Sequence, residues 1–256
     1  MIETKKEYFD LLKFNLNNFK DFDENIVKTE LDLYLNTKLD KEWENYTSDH
    51  NDLSTWKETF YKYPDLNPMY KKLIADINRL GVKKVCEIGA GSGNIVKYVY
   101  GSNESLDITA IEAYDKHYNQ MIENFKVGNN VIEPFIHVPA TPIKGLAQDL
   151  PLGDNSQDLI YTVTVMMHIP YLLAVKAIME IAKTTSKYVI HVERKDGNVV
   201  MGQQKNSQYN NLHIDYKGIY EELGFKTLDY HEFPYTEGNG NIYNHIQCVY
   251  YLGEKI

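Results

Sequence analysis

The spacing of apolar positions divides the chain near residue 82. Before that point the apolar residues recur at helical intervals. Tyr8, Leu11, Leu12, Leu16 and Phe19 form one stripe, Leu31, Tyr34, Leu35 and Leu39 a second, and Tyr70, Leu73, Ile74, Ile77 and Leu80 a third. The first eighty residues hold no glycine, and "PDLNP" (64–68) predicts the break before the third helix. After residue 82, short apolar runs alternate with helical periods. "VKKVCEI" (82–88), "LDITAIE" (106–112), a stretch near 143–148, "DLIYTVTVM" (158–166) and "KYVIHVE" (187–193) predict five strands. Helices are predicted over about 115–127, over "YLLAVKAIMEIAK" (171–183), and from about 212 to Leu223. "FKTLDYHEF" (225–233) and "IQCVYYL" (246–252) add two strands joined by the turn "EGNGN", so they should pair antiparallel.

This alternation predicts an α/β fold: a seven-stranded, mostly parallel, doubly wound sheet with an antiparallel C-terminal strand, plus a helical N-terminal cap. The cap is placed over residues 1–66 and the α/β domain over 67–256. At 256 residues there is enough chain for such a domain with a cap. Hydrophobic residues make up 43% and charged residues 25%, and no apolar run approaches the roughly 18 residues of a membrane span. The N-terminus lacks an uninterrupted apolar segment of the signal-peptide kind, so a cytoplasmic protein with no membrane partner is expected. The two cysteines, Cys86 and Cys248, are too few for a disulfide framework and read as buried thiols. A net charge of −9 without a basic block argues against a nucleic-acid partner. Oligomeric state cannot be read from these features.

The most informative stretch is "CEIGAGSGN" (86–94), where a predicted strand runs into a helical period through three alternate glycines. Gly89, Gly91 and Gly93 let backbone N–H groups approach a ligand, because no Cβ intrudes and positive φ costs glycine little. The third glycine comes one residue earlier than in the dinucleotide fingerprint. Glu87, inside the strand end, would repel a pyrophosphate but suits a cationic amino-acid group. Glu112, closing the second strand in "AIEAYD", can accept hydrogen bonds from both hydroxyls of a ribose.

Together these residues resemble class I S-adenosylmethionine-dependent methyltransferases. "EIGAGSG" is similar to that family's first motif and "IEAYD" to its second. "AQDLPLGDNSQDLIYTVTVMMHIP" and "EELGFKTLDYHEF" are similar to later segments, so the resemblance covers roughly 70 to 256. It implies a Rossmann-like methyltransferase domain and S-adenosylmethionine as cofactor, with S-adenosylhomocysteine as product. It also implies that Gly89, Gly91 and Gly93 line the methionine and ribose end, with Glu87 near the ammonium through water. Glu112 would hold the ribose with Ala113 beside the adenine, and Asp149 and Leu150 would contact the adenine edge. Glu112 to Asp149 spans more chain than the family usually has, and "VIEPFIHVPATPI" (131–143) looks inserted or extended.

Ligands of open parallel sheets bind beyond the carboxyl ends of the strands. There the sequence offers His168, His191, Glu193, Arg194, Asp196, His213 and Asp215. His168 is the expected general base, against the alternative that it only packs or orients substrate. His191, Glu193, Arg194, Tyr63 and Tyr70 are candidate substrate contacts, with Tyr61 beside them. A salt bridge for Glu193 and Arg194, and core packing for the tyrosines, are the structural alternatives. His168, His191, Glu193 and His213 have no compact metal-ligand spacing, so no metal is expected. The predicted cap and the loops 131–143 and 194–212 would cover an acceptor pocket. The expected function is methyl transfer to a small molecule, with oxygen the favoured acceptor; sugar nucleotides or other surface-polysaccharide precursors are plausible within the family. A catalytically silent, cofactor-binding partner subunit of another methyltransferase is the alternative. A nicotinamide enzyme is disfavoured by the glycine spacing and Glu87.

Overall fold

The computed structural model describes residues 68–126, 138–169, 171–194, 214–236 and 242–256. The predicted cap, with Tyr61 and Tyr63, lies outside them, as do Asp196 and His213. Helix α1 spans Pro68–Arg79, with proline at its first position, where a missing N–H costs nothing. It is followed by Gly81 at φ 64, which turns the chain into the sheet. The alternation then runs β1 (Lys84–Ile88), α2 (Asn94–Ser102), β2 (Asp107–Glu112), α3 (Asp115–Lys126), β3 (Thr141–Lys144) and β4 (Gln157–Val163). It continues with α4 (Tyr171–Thr184), β5 (Thr185–Arg194), α5 (Tyr216–Glu222), β6 (Phe225–Thr236) and β7 (Ile242–Lys255).

The seven strands form one sheet in the order β3-β2-β1-β4-β5-β7-β6. β7 runs antiparallel to both of its neighbours, and the other pairs are parallel. The third strand begins and ends earlier than its apolar pattern implied. Thr141–Lys144 pair with the last four residues of β2, so part of the segment read as an insertion is strand. Pro142 is tolerated there because β3 is an edge strand. β4 stops at Val163 rather than at 166, because Thr164 turns the chain at φ 54. The last helix is shorter than predicted: Asp215 caps it by accepting the Gly218 amide at 2.9 Å.

The strand period of two sorts side chains onto the faces of the sheet. Val85, Ile108, Ala110, Leu159, Tyr161, Ile190 and Val192 share one core with Leu73 and Ile77 of α1, Val96 and Val99 of α2, and Met121 and Phe125 of α3. Thr162, His191 and Tyr251 point the other way, with His191 and Tyr251 meeting Tyr216 and Tyr220 of α5. From the centre of the sheet, β1 leads through α2 to one side and β4 leads through α4 to the other. Their carboxyl ends therefore flank a switch point, where open α/β sheets leave a crevice.

Candidate functional site

At that crevice Gly89, Gly91 and Gly93 have φ values of 69, 55 and 81. The amides of Gly89 and Ala90 both donate to the Ile111 carbonyl, at 2.8 and 3.0 Å, and so fasten the turn to β2. A Cβ on Gly89 would come within 2.5 Å of Val165, and one on Gly93 within 2.5 Å of Phe125. A Cβ on Gly91 would meet nothing within 4 Å. The outer glycines thus admit close neighbours, and the middle one borders open space.

Glu112 ties the tip of this turn to the end of β2. Its Oε2 accepts the Gly91 amide at 2.7 Å and its Oε1 the Tyr114 amide at 2.9 Å. Gly145, just past β3, donates its amide to the Glu112 carbonyl at 3.1 Å. The segment leading to Asp149 and Leu150 therefore starts beside Glu112. Leu150 is buried and Asp149 exposed, and the Asp149 amide closes a turn on the Leu146 carbonyl at 3.2 Å. Ala113 is half-buried between Glu112 and Tyr114.

Glu87 sits beneath the glycine turn. It is buried and accepts the Tyr161 hydroxyl at 2.8 Å from the paired position on β4. Burial pushes its carboxyl up to about 8; the Glu112 charge pushes the same way, while the Tyr161 hydroxyl and the Val96 amide oppose it. Cys86, next to it, is buried too, and burial pushes its thiol up, away from reactivity.

The β5 candidates lie elsewhere than expected. His191 is fully buried, with Nδ1 2.7 Å from the Thr162 hydroxyl and Nε2 2.7 Å from that of Tyr220. It stacks on Tyr216 at 4.6 Å, and burial pulls it down to about 3. Both ring nitrogens are occupied inside the core, so the expected substrate contact at His191 does not hold in this structure. Glu193 is also buried. Its carboxylate takes the Thr162 hydroxyl at 2.7 Å and the Val165 and Met166 amides at 3.0 and 3.1 Å. It therefore serves the turn after β4 and not a substrate. Burial pushes it up to about 7 against those bonds.

His168 ends the short 3-10 turn Met166–His168. Its side chain, and that of Arg194 at the end of β5, lie outside what is described. Tyr70 packs, half-buried, against the core cluster. Of the four residues considered for a metal, the two whose side chains are described, His191 and Glu193, have their donor atoms engaged. Sequence reasoning missed Tyr161, Thr162 and Thr164. Nothing along "DLIYTVTVM" indicates that Tyr161 faces Glu87, 74 residues away, because strand register creates the pair.

Residues 86–190 match the family of methyltransferase domains. No protein of curated function matches the chain in sequence. Among solved structures it is similar to magnesium protoporphyrin IX methyltransferase from Synechocystis PCC 6803 with bound SAH, at 14% identity over 90% of this chain and 100% of that one, with a TM-score of 0.55. A SAM-dependent methyltransferase from Aquifex aeolicus is similar at 14% identity, over 83% and 98% of the two chains, with a TM-score of 0.52. The [4+2]-cyclase SpnF is similar at 14% identity, over 72% and 78%, with a TM-score of 0.55.

Proposed function

We propose that this chain, a class I S-adenosylmethionine-dependent methyltransferase, methylates an oxygen of a small molecule, and that the acceptor is a sugar nucleotide or another precursor of surface polysaccharide. The observation that carries the site is the 2.7 Å bond between the Glu112 carboxylate and the Gly91 amide. It brings an acidic strand end and a glycine turn to one point at the mouth of the crevice. Open space at Gly91 and a carboxylate able to accept two hydroxyls fit S-adenosylmethionine. When bound, that cofactor supplies a methyl group on an electron-poor sulfonium sulfur.

The protein's own residues then divide the work. Glu112 holds the ribose hydroxyls, and Gly89, Gly91 and Gly93 line the methionine and ribose end. Ala113 lies beside the adenine, whose edge meets Asp149 and Leu150. Glu87, held from below by Tyr161, acts on the ammonium through water, because its burial leaves no room for direct contact. His168 takes the proton of the acceptor hydroxyl as its oxygen gains the methyl group, since an imidazole titrates near working pH. Alignment of donor and acceptor contributes the rest of the rate.

Calorimetry with S-adenosylhomocysteine, with NAD as control, tests the cofactor site. Micromolar affinity is expected for the former and none for NAD. Glu112→Ala should weaken binding by about a hundredfold, as expected when a doubly hydrogen-bonded charged group is lost. A chain that ignores S-adenosylhomocysteine would remove this reading. Methylation assays on nucleotide sugars and other hydroxyl compounds then test the acceptor, and His168→Ala should abolish turnover while leaving cofactor affinity intact. A protein that binds the cofactor yet methylates none of these alone would favour the silent-subunit reading.

A further inference from the structure

β4 ends in an unexpected conformation. Thr164 is β-branched and has a φ of 54, a left-handed conformation that crowds its side chain against the backbone. Its hydroxyl donates to the Val163 carbonyl at 2.7 Å and its amide to the Val192 carbonyl at 2.8 Å. Strain of this kind persists only where the surroundings over-determine it.

Glu193 supplies that constraint. Its Oε1 takes the Val165 amide and its Oε2 the Met166 amide. Two successive N–H groups thus converge on one buried carboxyl group. A chain of hydrogen bonds behind the carboxylate fixes its direction. Thr162 has a single hydroxyl proton, which goes to Glu193. Its oxygen must therefore receive the proton of His191 Nδ1, which leaves Nε2 to accept from Tyr220. Every donor in the chain is used, so the carboxylate cannot swing away without leaving a buried donor unpaired.

In front of Glu193 the turn meets the cofactor cleft. Val165 packs on Gly89 so closely that a Cβ there would stand 2.5 Å from its methyl carbon. The next three residues, Met166–His168, carry the backbone of His168.

We propose that Glu193 is a positioning residue for methyl transfer. It holds Thr164 in the left-handed conformation, and thereby sets Val165 against Gly89 and His168 at the edge of the cleft. The proposal rests on that cleft being the S-adenosylmethionine site.

The test compares Glu193→Gln, Thr162→Val and Tyr220→Phe in the full chain. Glu193→Gln keeps the shape but turns an NH2 group toward the converging amides. Thr162→Val removes the hydroxyl that orients the carboxylate. Tyr220→Phe removes the far end of the chain. Backbone NMR reads the φ of Thr164 through its scalar coupling and carbon shifts, and calorimetry reads S-adenosylhomocysteine affinity. Glu193→Gln should move Thr164 to negative φ and weaken binding at least about tenfold, the scale of one buried bond left unmade. Thr162→Val should do the same to a lesser degree, and Tyr220→Phe, two bonds further from the carboxylate, to a lesser degree still. Thr164 staying left-handed in folded Glu193→Gln would overturn the proposal, as would its relaxation with affinity unchanged. If Glu193→Gln does not fold, Thr162→Val decides between the same outcomes. Wild-type protein that fails to bind S-adenosylhomocysteine overturns the cofactor reading as well, whereas the variant results bear on Glu193 alone.

Discussion

The turns after β1 and β4 lie side by side at the carboxyl edge of the sheet, and both use left-handed backbone. The first is made locally. Its three left-handed positions are all glycine, for which that conformation costs little, so the residues that need the freedom carry it themselves. The second is made at a distance. A β-branched threonine is held left-handed next to amides bound by a carboxylate 28 residues further along the chain. One conformation is written in residue type; the other exists because β5 lies beside β4 in a particular register. The carboxylates differ in the same way. Both are buried with both oxygens engaged, but Glu112 takes one of its two amides from Tyr114, two residues away, whereas every bond of Glu193 goes to β4 and the turn after it.

The largest effect should come from joining the two turns by force. Gly89→Ala combines a left-handed φ with a methyl group inside Val165, and a loss of about 2–4 kcal/mol in urea denaturation is expected. A loss under about 1 kcal/mol would mean that the turns are not packed on each other as described.

Next comes pH. Glu87 and Glu193 are pushed up to about 8 and about 7, so the folded state binds protons there that the unfolded chain has released. Their contribution is present at low pH and is lost as pH rises through those values. His191 works the other way, but only below its ordinary value of 6.5, because its folded value lies near 3. Stability should therefore fall by about 2 kcal/mol between pH 6.5 and pH 8. Denaturation across that range should show the slope, and Glu87→Gln should remove most of it. A flat profile would mean that burial does not raise the Glu87 carboxyl.

Smaller changes sharpen the contrast. Gly91→Ala meets no neighbour and keeps only the cost of its φ, so about 1 kcal/mol should be lost. Thr164→Gly should have the opposite sign. Relief of the left-handed strain should stabilise the chain by up to about 1 kcal/mol, with S-adenosylhomocysteine affinity retained because Glu193 still binds the turn. Destabilisation by Thr164→Gly would show that the threonine side chain is needed for more than the turn.

The strand and helix pattern was legible because burial writes a period into each segment. The runs at 84–88, 107–112 and 225–236 were read close to where they lie, and the hairpin of β6 and β7 followed from the lack of a helix between them. The glycine turn and Glu112 were legible for a different reason: glycine is the cheapest residue for such backbone, and a charged strand end stands out from its apolar run. β3 was misplaced because a short edge strand takes its bounds from its partner β2, and four residues, two exposed and two half-buried, carry little periodicity.

His191 and Glu193 mark the boundary of sequence reading. Both follow the alternation of "KYVIHVE" and end a strand where ligands bind, so their types alone suggested a site. Their position beside Thr162 and beneath α5 made one a core histidine and the other the anchor of a turn. The sequence by itself determined the α/β alternation, the glycine turn and the acidic end of β2, since each depends on residues within a few positions of one another. Only the tertiary structure decided which partners the polar groups at the strand ends take. That depends on what strand register places opposite each carboxylate, and local residue type does not encode it.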